Sequence, residues 1–392
     1  MVDTRPACLV WLPHSYTGRG PAESCVRIVE HFPAAGIDTT LFVHRRRTPV
    51  KPALRLVEAL GTVGRQMPYR FVRARAEQRL ERLFTRAIDA AAVGTIAWFW
   101  PDVPIHLVLR AKERGLITVR EMINSPLAHA KPILDAAYAA AGLLPEHGIT
   151  DAMVAAETEE LALHDLIFAA NDEVENALTA LGIPRARILS SSFGWVASRF
   201  QSDRSPEPRT AEPLRACFVG LINVRKGVPT LLAAWDAAGI DGELVLAGSI
   251  EPALVPLVER HCATGKVRHL GHIEDVGALY RSSDLFVFPT HEEGGPQVTY
   301  EAAGCGLCVV TTPMGAARLV QDGRTGRIVE PGDVAGLRDV LRQLAANAAE
   351  RRRLAEAGRE AAAQFTYSIV GARRAQMIRD RWVEQTDHAG SH

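Results

Sequence analysis

The chain has 392 residues, and its 45 lysines and arginines are balanced by 45 aspartates and glutamates. That length favours two domains, each able to bury its own core, and the charge balance removes any bulk electrostatic case for a nucleic-acid partner. Six scattered cysteines without a disulfide-like framework fit a reducing, cytoplasmic setting. Asp3 and Arg5 argue against a signal peptide, and no apolar run approaches the roughly 20 residues of a membrane span.

The first half opens with a strand, Ala7–Leu12, a loop carrying Gly18 and Gly20, a helical pattern from Ala22 towards Phe32, and a second strand, Thr39–Val43. Strand, glycine loop and helix make the opening unit of a doubly wound α/β sheet. The loop lacks the third glycine of a dinucleotide fingerprint and no acidic partner follows the helix, which leaves a nicotinamide-dependent oxidoreductase as a weak rival. Tyr69–Ala90 predicts an amphipathic helix with Arg75, Arg79, Arg82 and Arg86 at helical spacing beside Val72, Leu80, Leu83 and Ala87. Its basic face reads as a solvated surface or as an attraction for anionic lipid head groups or a lipid-diphosphate acceptor, to which Arg45–Arg47 would add. Strands at Thr95–Trp100 and Ile117–Arg120 follow, and the second leads into Arg120, Glu121, Asn124 and His129. These lie where the carboxyl end of a parallel strand opens, the usual place for ligands in such sheets. Asp165–Ala170, an N-cap pair Asn171-Asp172, and a last strand Ile188–Ser191 complete a first domain spanning 1–200.

Residues 201–213, with three prolines and several charges, read as a linker. The second domain, 214–365, repeats the pattern of strand, loop and helix: strands from Leu214, at Leu244–Gly248 and near Val267–Leu270, with helices from Val228, Pro252 and Asp275. A strand at Leu285–Pro289, a turn at Gly294-Gly295, Pro296, a helix from near Gln297 and a strand at Val309–Thr312 close the unit. The glycines suit close backbone approach to a ligand, and the helix start offers unpaired N–H groups to a phosphate. Glu293 and Glu301 bracket that anion site; carboxylates accept paired hydrogen bonds from vicinal hydroxyls, which suits sugars. Cys305 and Cys308 form a CxxC without a second pair, so no metal site is expected there. Helices at Val334–Ala346 and on to Gln364 precede a final amphipathic helix to about Trp382, with disorder expected from Asp387.

Glu293-Gly294-Gly295-Pro296, four residues, then Glu301-Ala302, resembles the signature of retaining GT-B glycosyltransferases of family 4. The resemblance implies two Rossmann-like domains facing across a cleft, with the last segment, 366–392, crossing back onto the first. It implies that Glu293 contacts the donor sugar, Glu301 the nucleotide ribose, and Gly271-His272-Ile273 the base. Gly294, Gly295, Pro296, Gln297 and Val298 would meet the diphosphate, with Gly220 opening the loop that carries Lys226-Gly227, the diphosphate-binding lysine. The family commonly has an arginine after that first glycine; this chain has Leu221, and Arg225 is the candidate substitute. Gly18 and Gly20 would face the acceptor, alongside Arg120, Glu121 and Asn124, and His129 is the candidate for the family's cleft histidine. The implied reaction is metal-independent transfer, with retention, from a nucleotide-diphosphate sugar to a hydroxyl of a sugar, lipid-linked or small-molecule acceptor. No DxD motif occurs in the chain, and no cofactor is implied. The alternative is a non-catalytic descendant that binds nucleotide-sugar or a partner protein, for which Leu221 is the best support.

Overall fold

Seven parallel strands form the first sheet of the computed structural model, which describes residues 5–200 and 213–389. They are β1 (Ala7–Tyr16), β2 (Asp38–Arg46), β3 (Arg55–Glu58), β4 (Ile96–Phe99), β5 (Ile117–Glu121), β6 (Leu166–Ala169) and β7 (Ile188–Ser190), in the order β3-β2-β1-β4-β5-β6-β7. The second sheet holds β8 (Leu214–Val219), β9 (Gly242–Ala247), β10 (Val267–His269), β11 (Leu285–Phe288), β12 (Cys308–Thr311) and β13 (Arg327–Ile328), in the order β10-β9-β8-β11-β12-β13. Both orders reverse next to the first strand of their domain, the arrangement that opens a crevice at the carboxyl ends. Helices cover both faces, so central strands such as β4 and β11 are buried at every position and read as continuous apolar runs. With its two facing Rossmann-like sheets, the molecule has the GT-B architecture.

The expected strands are all present, and β1 runs on to Tyr16 past an irregularity between Leu12 and Ser15. The short edge strands β3 and β13 were not foreseen, because an edge strand of two to four residues carries little apolar periodicity. The linker reading at 201–213 falls outside the described residues except for Pro213. The Tyr69–Ala90 helix has the expected bounds; Val72, Ala76, Leu80, Phe84 and Ile88 are its buried stripe.

The last helix, Tyr367–Ala389, takes in the first three of the residues expected to be disordered, and 390–392 lie outside the described residues. It crosses back to the first domain and packs on the Gly20–Val29 helix. Its register is set by one charge: Arg374 is fully buried and bonds the Glu121 carboxylate at 2.7 and 2.9 Å and the Ser192 carbonyl at 2.8 Å. The guanidinium lies over the rings of Phe168 and Phe193, 4.7 and 5.2 Å from their centroids.

Candidate active site

The site is built where two loops of the second domain meet. Gly227 adopts a left-handed backbone (φ 72°), and a side chain there would overlap the Pro289 carbonyl. This lets the loop after β8 lie flat on the segment after β11, where the Arg225 carbonyl accepts from the His291 N–H at 2.9 Å and from Thr290 Oγ1 at 3.1 Å. Two adjacent cations thus face two adjacent acids. The Lys226 ammonium contacts the Glu293 carboxylate, and Arg225 Nη2 lies 2.7 Å from Glu292 Oε2. Burial, with help from the Arg225 charge, pushes the Lys226 ammonium down to about 7; contact with an anion acts in the opposite sense.

The carboxyl ends of β8, β9 and β10 frame an open pocket of about 290 Å³ lined by Gly220, Leu221, Gly248, Ser249, His272 and Ile273, the first two from the loop that also carries Arg225 and Lys226. Leu221 is 49% exposed, so the position where a cation was expected presents an apolar side chain to this cavity. The helix expected from near Gln297 runs Gln297–Gly304, with Pro296 at its N-cap. Glu301, one turn in, is half-buried, and burial pushes its carboxyl up to about 7; Glu23 acts in the same sense, Arg199 and Tyr280 against it. The Gln297 side chain is occupied, since Nε2 donates to Ser24 Oγ at 2.9 Å and Oε1 accepts from Tyr367 Oη at 2.9 Å. Val298 is half-buried and packs against the core. Among the described residues, no group of three or more His, Cys, Asp or Glu side chains is placed to hold a metal.

The first domain corrects several expectations. At Gly294 and Gly295 it is the first domain that makes the close approach on the Cβ side: a side chain on Gly294 would overlap Ile123 and Asn124, and one on Gly295 would overlap the Phe193 ring. Their bareness serves close contact between domains, reinforced by Asn171 Nδ2 donating to the Gly294 carbonyl at 2.7 Å. Arg120 and Glu121 are not acceptor-side groups. Arg120 Nε is 3.1 Å from both oxygens of buried Glu160, and Glu121 is spent on Arg374, so both are structural. Arg45 is likewise unavailable to a surface partner, because it is buried and donates to the Arg65 and Met67 carbonyls at 3.0 and 2.8 Å. Asn124 does reach the cleft, accepting from Arg225 Nη2 at 2.8 Å. His129 stands in the first turn of the Leu127–Ala140 helix, just past this contact, with a buried Nδ1 that has no hydrogen-bond partner among the described residues. Gly18, in the turn after β1, and Gly20, the first residue of the helix that follows, both have positive φ.

Glu292 is the residue that sequence reasoning missed. It is 1% exposed, and Oε1 accepts from the backbone N–H and Oγ of Ser125, each at 2.9 Å, across the domain boundary. The available signal was the match of an Arg-Lys dipeptide to a Glu-Glu dipeptide, each on a loop after a buried strand.

Residues 213–347, most of the second domain, match the family model described as Glycosyl transferases group 1. The capsular polysaccharide biosynthesis glycosyltransferase CapM of Staphylococcus aureus is 29% identical over 211 residues, covering 51% of this chain and 54% of that protein. The glycogen synthase of Mycobacterium tuberculosis is 28% identical over 216 residues, 53% of this chain and 51% of that one. The chain therefore spans about half the length of the curated relatives it matches. Among solved structures, sucrose-phosphate synthase from Thermosynechococcus elongatus superposes with a TM-score of 0.73 at 18% identity, over 97% of this chain and 100% of that one. HepE of Anabaena in complex with UDP-glucose gives 0.65 at 14% identity, over 96% and 99%. At these identities the structural matches establish the GT-B fold.

Proposed function

We propose that this protein is a glycosyltransferase that moves a sugar from a nucleotide-diphosphate donor to an acceptor hydroxyl with retention at the anomeric carbon. The observation that carries the reading is the pair of cations, Arg225 and Lys226, on the loop whose first residues, Gly220 and Leu221, line the cavity at β8–β10, set against Glu292 and Glu293. The cavity suits a nucleoside, with Glu301 at the ribose and His272 and Ile273 at the base. Lys226 and Arg225 then meet the diphosphate, whose charge grows as the glycosidic bond breaks, and fixed cations in a water-poor site stabilise that growth. A diphosphate displaces Glu293 from Lys226 and frees the carboxylate for hydroxyls of the sugar. On this reading Asn124 and His129 border the sugar from the first domain, and Gly18 and Gly20 the acceptor. These cations do what a metal ion does elsewhere, and no cofactor is needed.

The test is a thermal-shift screen of UDP, GDP, ADP and their sugars, in which a bound ligand raises the melting temperature by mass action. UDP heads the panel because the HepE structure carries UDP-glucose. The selected donor is then incubated with sugar and lipid-linked acceptors, and the anomeric configuration of the product is read by proton NMR. No shift with any nucleotide refutes the reading, and an inverted product refutes retention. A binding protein without activity gives the shift and no product.

A peripheral contact with anionic lipid belongs to the same proposal. Along the Tyr69–Ala90 helix, Phe71, Arg75, Arg79, Arg82 and Arg86 form one exposed stripe, with Phe71 67% exposed and Met67 just ahead of it 42% exposed. An apolar tip followed by a ladder of arginines suits a lipid surface and a lipid-linked acceptor. No helix among the described residues is long and apolar enough to cross a membrane.

A further inference from the structure

We propose that Glu292 is a positioning residue for the donor diphosphate, acting through Arg225. This rests on the nucleotide-sugar reading above. A carboxylate that is 1% exposed is costly to keep charged unless its lone pairs are used, and here they are divided between the two domains. Oε1 takes both donors of Ser125, and Oε2 takes Arg225 Nη2 at 2.7 Å. The same guanidinium is fixed twice more, by Nη2 to Asn124 Oδ1 at 2.8 Å and by Nε to the Glu292 carbonyl at 3.3 Å.

A guanidinium has five N–H donors in a rigid fork. The bonds of Arg225 use Nε and Nη2, and among the described residues Nη1 makes no hydrogen bond. The result is a cation held from both domains, 28% exposed, with one amino group unspent beside the diphosphate lysine. An arginine already immobilised loses less freedom when it binds a phosphate than one that swings in solvent. Leu221 supplies no charge, so Arg225 is the second cation of this site, and Glu292 is what aims it. Ser125 makes the aim conditional on the first domain being in place, which links diphosphate binding to closure of the cleft.

The experiment compares nucleoside diphosphate with monophosphate by isothermal titration calorimetry, using whichever of UDP/UMP, GDP/GMP or ADP/AMP the wild type binds most tightly. Glu292→Gln keeps an acceptor for Ser125 but turns an amide donor towards the guanidinium. The affinity gained from the second phosphate should fall about tenfold in Glu292→Gln and in Arg225→Ala, and no further in the double variant. Monophosphate binding should stay at the wild-type value. A wild-type ratio in Glu292→Gln, or losses that multiply to about a hundredfold in the double variant, would overturn the proposal. Should Glu292→Gln fail to fold, Ser125→Ala removes one donor to Oε1; its two- to threefold loss should vanish in the Arg225→Ala background, and persistence there counts against the proposal. A wild type that binds none of the diphosphates overturns the donor reading itself, whereas normal binding with an indifferent Glu292 overturns this inference alone.

Discussion

Glu301 carries a stability cost that pH should expose. Its carboxyl is pushed from 4.5 to about 7, first by burial and then by Glu23, so the folded protein holds this proton more tightly than the unfolded chain does. The stabilisation from this proton is fully present below pH 4.5 and is lost as pH rises through 7. A shift of this size corresponds to roughly 3 kcal/mol. Glu301→Gln keeps the shape of the protonated acid at every pH. It should be nearly as stable as wild type at pH 5, within about 1 kcal/mol, and more stable by about 3 kcal/mol at pH 8. Urea denaturation of both proteins at the two pH values measures the difference directly. The same substitution should weaken nucleotide diphosphate binding by about 1–3 kcal/mol, because an amide cannot accept from both hydroxyls of a ribose. A stability gain together with a binding loss identifies a charge kept at the expense of the fold. If Glu301→Gln is less stable than wild type at pH 8, or the gap does not change with pH, the reasoning fails.

Other outcomes follow from the same geometry. Transfer should survive a chelator, and activity abolished by EDTA and restored by magnesium or manganese would refute the metal-free reading. Glu293→Gln should leave bare diphosphate binding nearly intact while impairing use of the whole donor, as compared by calorimetry and initial rates. Arg374→Met strands the buried Glu121 carboxylate and should cost about 3–5 kcal/mol in chemical denaturation, much of it recovered when Glu121→Leu is added. Charge reversal at Arg75, Arg79 and Arg86 should abolish co-sedimentation with phosphatidylglycerol vesicles and leave nucleotide binding unchanged; undiminished sedimentation would remove the lipid contact.

The two-domain, doubly wound plan was legible because buried parallel strands are short apolar runs and the turns between them carry glycine and proline. The Glu293–Glu301 spacing and the Lys226-Gly227 loop were legible because each is local in the chain. Arg120 and Glu121 were misplaced for the opposite reason. At the end of a strand they look like site residues, and their partners, Glu160 and Arg374, are distant in sequence and close only in the fold. Arg374 did leave a trace: Val370, Arg374 and Ile378 recur every four residues, each no more than 1% exposed. A lone charge on an apolar helical stripe implies a buried counter-charge, though not which one. The glycine pair was recognised as a place of close approach, but sequence does not say whether a ligand or another domain approaches. Glu292 was hidden by Glu293, since neighbouring acids read as one feature until their side chains part.

The crossing helix sets an order on synthesis. Glu121 is fully buried at the carboxyl end of β5, yet its counter-ion lies on the final helix, and the Trp195 indole adds a 2.8 Å bond to the Ala362 carbonyl late in the chain. A ribosome that has finished the first domain has therefore delivered an acid without its base. At 5–20 residues per second, roughly 10–40 s pass before Arg374 emerges. Through that interval the partner that satisfies the Glu121 carboxylate in the finished fold has not yet been made. The core of the first domain is thus closed by a residue that the second half of the chain supplies.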